Sequence, residues 1–195
     1  MSKVLDLSVY VASEWWADRT NGEKLVIANG SPEWEDRVVW AAIGASEEAG
    51  EVAGEVLSDD HDKLLAESGD VVHYLIAMAS LTGCLLPDAS DIATHGRQPP
   101  VGPWAESLRL CRDASSVLGF VKKARFYKKD PNAKLQLGGN FFSALKRTHL
   151  QLATTLLDYD LTIEDAAAHN HEKMLKRFPT GWNAADAKAK KDEHG

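Results

Sequence analysis

Two short stretches decide how this chain folds: Glu47-Glu48-Ala49-Gly50-Glu51 and Glu67-Ser68-Gly69-Asp70. On a helix, residues three apart lie on adjacent turns of one face, so Glu48 pairs with Glu51 and Glu67 with Asp70. The intervening segment is long enough to turn, which lets the second helix run back along the first. Four carboxylates then face one small volume. At ~5 Å and an effective dielectric near 20, each like-charged contact costs roughly 3 kcal/mol. A cluster of this kind calls for a cation, and all-oxygen ligands favour a hard one, Mg²⁺ or Mn²⁺.

Outward from these stretches the pattern stays helical. Val38, Ala42, Ala45, Ala49, Val52 and Val56 recur at spacings of four and three, and this seam ends near Ser58-Asp59-Asp60. A second helix is expected from about Asp62 to Leu81, stopped by Thr82-Gly83. An N-terminal helix is expected from Leu5 to about Thr20, followed by turns at Asn21-Gly22 and Asn29-Gly30-Ser31-Pro32. Leu86 to Trp104 carries four prolines and two glycines and reads as a linker. Helices are expected again from Ala105 to about Lys123, from Leu137 to Tyr159 and from Ile163 to Arg177, with a charged tail over 184–195. No alternating strand pattern occurs. The fold class is therefore all-α.

The chain also resembles itself. A shift of 65 places Ala45, Ala49, Val52, Ala53, Gly54 and Val56 on Leu110, Ala114, Val117, Leu118, Gly119 and Val121. A shift of 70 places Leu65, Gly69, Val71, Val72 and Leu75 on Leu135, Gly139, Phe141, Phe142 and Leu145. The apolar seam persists while the acids fade: Glu48 becomes Asp113, Glu51 becomes Ser116, Glu67 becomes Leu137 and Asp70 becomes Asn140. The expected architecture is a four-helix-bundle core built from two helical hairpins. Unit 1 spans about 35–83 with the acids intact, and unit 2 about 105–178, within a single domain of 1–183. The second copy's loop is basic, with Lys122, Lys123, Arg125, Lys128 and Lys129.

Composition limits the function classes. The 195 residues suffice for one domain with a real core, and the 44% apolar fraction is that of a globular protein. A net charge of −7 argues against a nucleic-acid polymer as partner. Two cysteines, Cys84 and Cys111, form no disulfide framework and lack zinc-ligand spacing. No apolar run approaches the ~20 residues of a membrane span, and the first residues lack a signal-peptide core, so a soluble, cytoplasmic protein is expected. A di-iron carboxylate bundle would need Glu-x-x-His on two helices. Asp70-Val71-Val72-His73 is the nearest approach, and Glu48 and Glu51 have no histidine partner.

The segments Ala45-Ser46-Glu47-Glu48-Ala49-Gly50-Glu51-Val52 and Glu67-Ser68-Gly69-Asp70-Val71-Val72-His73-Tyr74-Leu75 resemble the EExxE…ExxD pattern of the MazG-type all-α nucleoside triphosphate pyrophosphohydrolases. Asn170-His171-Glu172-Lys173-Met174-Leu175-Lys176-Arg177-Phe178-Pro179 is similar to that family's Asn-x-x-Lys-Leu-x-x-Arg-Tyr-Pro segment. Val121-Lys122-Lys123 is like a lysine pair that in many members follows the first acidic helix, although here it follows the acid-depleted copy. The resemblance implies cleavage between the α and β phosphates of a nucleoside triphosphate, with Mg²⁺ or Mn²⁺, two or more ions per site. It implies Glu48, Glu51, Glu67 and Asp70 as metal ligands, with Glu47 orienting or deprotonating the water unless it is a surface acid. Lys122, Lys123, Arg125, Lys173 and Arg177 are the phosphate-binding candidates. Trp15, Trp16 and Asn170, with Trp34 beside them, are the candidates for holding the base. Because the chain supplies its own partner hairpin, a monomer or a homodimer is expected.

Overall fold

A computed structural model describes residues 30–87, 102–127 and 135–177. Five helices carry nearly all of them: α1 (Pro32–Ser58), α2 (His61–Thr82), α3 (Pro103–Phe126), α4 (Gly139–Leu157) and α5 (Ile163–Arg177). No strand occurs among the described residues. The expected N-terminal helix, most of the linker, Lys128, Lys129 and the charged tail lie outside them.

Caps explain where the helices begin and end. Ser31 accepts a hydrogen bond from the Trp34 N–H at 3.1 Å, and Pro32 fills the first position, where its missing N–H costs nothing. Asp60 caps α2 through the Lys63 N–H at 3.1 Å, and Gly83, at φ 69°, ends it in the left-handed conformation. Only Asp59 and Asp60 separate α1 from α2, which forces an antiparallel hairpin. Pro103 starts α3 two residues before the expected Ala105, again as a proline at the helix start. Thr162 and Asp165 bond each other's backbone N–H groups at the entry to α5.

Specific contacts set the register. The Trp34 indole donates to the Leu81 carbonyl at 2.6 Å and ties the start of α1 to the end of α2. Cys111 Sγ donates to the Ala49 carbonyl, and Arg125 pairs with Glu35 and Asp36, so α3 runs antiparallel along α1. Gln151 donates to Glu106, and Arg147 stands 3.7 Å from Asp113, so α4 returns along α3. α5 lies on α2 and runs in the same direction, from Tyr159 beside His61 to Lys173 beside Asp70. The packing is compatible with a helical bundle, with α5 as an added layer.

The core follows the sequence seam. Val38, Ala42, Ala45, Ala49, Val52 and Val56 are buried, as are Leu110, Ala114, Val117 and Val121 at the positions shifted by 65. Val71 and Leu75 are matched in burial by Phe141 and Leu145 at the shift of 70. Where the first copy has Glu48, the second has Asp113, buried and paired with Arg112 and Arg147. Among the described helices, α2 has the length and apolarity of a membrane span, yet its apolar side chains are buried against α1 and α5 and it carries Glu67 and Asp70.

One buried group gives α4 a pH dependence. His149 is fully buried, neither ring nitrogen has a hydrogen-bond partner, and burial pushes its pKa down to about 4. The imidazole is therefore neutral in the folded protein, while the unfolded chain takes up a proton near pH 6.5. Stability from this group is complete above pH 6.5 and is lost as pH falls toward 4, by about 3 kcal/mol at full extent. Unfolding by urea at pH 7 and pH 5 checks it: the stability difference between the parent chain and His149→Leu is expected to shift toward the variant at pH 5, and an unchanged difference would refute it.

Candidate metal and phosphate site

The antiparallel register of α1 and α2 brings Glu48 level with Glu67 and Asp70. One carboxylate oxygen from each of the three lies within 4.8 Å of the others, and all three side chains are half-buried. Three of the four expected ligands converge in this way. Glu51 is exposed and is not among these three, and its charge bears on Glu48 and Glu67. Glu47 is also exposed, and Glu55 accepts a hydrogen bond from the Ser58 hydroxyl at 2.8 Å.

Crowding of like charges shows in the electrostatics. The Glu48 carboxyl is pushed up to about 8, first by burial and then by Asp70, Glu51 and Glu67, with Lys173 pulling the other way. Glu67 is raised by burial and by Asp70 and Glu51. Such a set gains from any cation that enters it, and its all-oxygen chemistry fits Mg²⁺ or Mn²⁺.

α5 completes the cluster across a hundred residues of sequence. Asn170 Nδ2 donates to one Asp70 oxygen and Lys173 Nζ to the other. Gly69 permits this approach: a Cβ there would stand 2.7 Å from the Ala166 carbonyl oxygen and 3.0 Å from the Asn170 Cβ. Asn170 is wholly buried, and its Oδ1 has no hydrogen-bond partner. It is among the residues expected to hold the base, and it lies buried with its amide on Asp70.

The other expected cations divide. Lys173 is in the cluster, and Arg177 lies one turn further along α5. Arg125 is taken by Glu35 and Asp36, at 3.3 Å from each, near the start of α1. Lys122 and Lys123 are exposed toward the same end, and the register of α3 on α1 sets them about 15 Å along the helix axis from Glu48. A run of basic residues reads the same in sequence whether it faces phosphates or carboxylates. Trp15 and Trp16 lie outside the described residues. Trp34 is buried in the core, its indole held by Leu81.

An aromatic step beside the acids went unremarked in the sequence. Trp40, 51% exposed, packs edge-on against Tyr74 with ring centroids 4.9 Å apart, and His73 meets both rings. Gly44 makes room, since a Cβ there would lie 2.3 Å from the Tyr74 ring. Tyr74 stands one turn from Asp70, and burial with the Glu48 and Asp70 charges pushes its pKa up to about 12, so its hydroxyl stays protonated. The legible signal was spacing: Trp40, Gly44, Glu47 or Glu48, and Glu51 fall on one stripe of α1, as do Glu67, Asp70 and Tyr74 on α2. His73 lies among these rings, and no histidine joins the carboxylate group among the described residues.

Comparison with protein-family models, with curated proteins and with solved structures gives no match.

Proposed function

We propose that this chain is a divalent-metal-dependent nucleoside triphosphate pyrophosphohydrolase, of the MazG-like kind its acidic pattern resembles. The observation that carries the reading is the convergence of Glu48, Glu67 and Asp70, with Lys173 against them and an exposed aromatic face one to two turns away. A triphosphate brings about four negative charges, which an acidic site accepts only together with cations. Glu48, Glu67 and Asp70 hold Mg²⁺ or Mn²⁺, with Glu51 at the exposed edge. The metal supplies Lewis-acid polarisation of the phosphoryl group and charge neutralisation of the leaving pyrophosphate. Lys173 and Arg177 grip the β and γ phosphates. Water attacks the α phosphorus, the α–β bridging oxygen leaves with pyrophosphate, and Glu47, the exposed neighbour of Glu48, takes the proton. Trp40 and Tyr74 offer the base a stacking surface, replacing Trp34, which is committed to the core.

The test is a panel of ribo- and deoxynucleoside triphosphates with Mg²⁺ or Mn²⁺, following pyrophosphate against orthophosphate. Pyrophosphate and monophosphate in equal amounts are expected. Orthophosphate as first product would overturn the reaction assignment, and a metal-dependent stability shift with no product would leave a nucleotide-binding protein instead. For the best substrate, Trp40→Ala is expected to raise KM roughly tenfold with kcat within about twofold, because base stacking is worth ~1–3 kcal/mol. An unchanged KM would remove Trp40 from the site.

A further inference from the structure

Both oxygens of Asp70 are engaged from α5, one by the neutral amide of Asn170 and one by the ammonium of Lys173. The two donors differ in freedom. Asn170 is wholly buried and fixed by the close contact of α5 with Gly69, whereas the Lys173 side chain is 32% exposed on a flexible four-carbon stem. The positive charge of Lys173 also reaches Glu48 and Glu67, the two other members of the group.

We propose that Lys173 is an internal placeholder for the divalent cation, holding the Glu48–Glu67–Asp70 group together until an ion enters and then moving out to the triphosphate. The two cations compete for the same carboxylates, because an ammonium and a divalent ion within a few ångströms of each other repel strongly. Asn170 carries no charge and stays on Asp70 in both states. The direction in which Lys173 leaves rests on the pyrophosphohydrolase reading; the competition itself does not. Since the phosphates give the displaced ammonium a new partner, triphosphate and metal assist each other's binding, and by linkage they do so reciprocally. The ion-free protein is thereby spared an uncompensated acidic pocket, at the cost of weaker affinity for metal alone.

The experiment is calorimetric titration of the full chain with Mn²⁺, without nucleotide, for the parent and for Lys173→Met, which keeps the apolar stem and removes the charge. The variant is expected to bind Mn²⁺ about tenfold more tightly, because the competing charge is gone. Equal or weaker affinity, or no binding by either protein, overturns the proposal. Lys173→Gln provides the same comparison if the methionine variant does not fold. A lysine that served only to anchor α5 would give weaker metal binding on removal, the opposite sign. Pyrophosphate release by the parent chain is scored separately. Tighter Mn²⁺ binding by the variant without release by the parent retains the placeholder and sinks the enzyme, while release with unchanged Mn²⁺ affinity sinks the placeholder alone.

Discussion

Asp70→Asn is expected to take pyrophosphate release to background, a loss of at least about a thousandfold, or roughly 4 kcal/mol of transition-state stabilisation. The substitution is nearly isosteric, so it changes charge and hydrogen-bonding sense and leaves packing alone. It removes the carboxylate that meets Glu48 and Glu67 on one side and Asn170 and Lys173 on the other. It also leaves one acceptor oxygen for two donors, so that its own NH₂ faces either Asn170 or Lys173. The fold is expected to survive, because losing the Lys173 pair is offset by relief of the repulsion that raises Glu48 and Glu67. Glu48→Gln is expected to behave the same way. Glu51→Gln is expected to cost only about tenfold, since that side chain is exposed and outside the converging three. Steady-state release in Mg²⁺, with far-ultraviolet circular dichroism as the control for folding, checks all three. Retained turnover in Asp70→Asn would remove the site.

Gly69→Ala is expected to weaken the protein by about 1–3 kcal/mol and to disable the site without altering any polar group. Alanine is the better helix former by about 1 kcal/mol, so on helix propensity alone the change would stabilise α2. Packing reverses the sign. The new methyl would lie 2.7 Å from the Ala166 carbonyl oxygen, a backbone atom in the first turn of α5, and relief requires that helix to retreat. That retreat carries Asn170 and Lys173 away from Asp70. Gly54→Ala is the matched control: position 54 is exposed and a Cβ there meets nothing within 4 Å, so it is expected to gain ~0.5–1 kcal/mol. Urea unfolding of the two variants measures opposite signs for one substitution. A stabilised Gly69→Ala would show that α5 does not press on α2.

The helices were legible because their signals are local. The 3.6-residue seam from Val38 to Val56, the Asp59-Asp60 break and Gly83 mark the end of α1 and both ends of α2 within a residue or two. The acid group was legible in part for the same reason, because the spacings of Glu67 and Asp70 and of Glu48 and Glu51 are helix arithmetic. The missing part is lateral. Spacing along α1 cannot say which of Glu48 and Glu51 turns inward toward α2, and the packing selects Glu48. Nor does periodicity reveal that α5 lies on α2 rather than elsewhere on the bundle, so the contact of Asn170 with Asp70 has no signal in the sequence. The ion pairs of Arg125 were hidden for an electrostatic reason, since Glu35 and Asp36 sit about ninety residues away in sequence. Trp40 was passed over because an exposed tryptophan has meaning only beside what it adjoins, here Tyr74.

The last described helix has a consequence for biosynthesis. During synthesis on a ribosome the acid-bearing hairpin emerges first, and about a hundred further residues must be added before Asn170 and Lys173 exist to meet Asp70. A nascent chain paused between α2 and α5 therefore lacks both donors to Asp70, and the repulsion among its acids goes unrelieved by Lys173. Folding of the first half is expected to be most sensitive to divalent-ion supply while the polypeptide is still being made, and least sensitive once the final segment has docked.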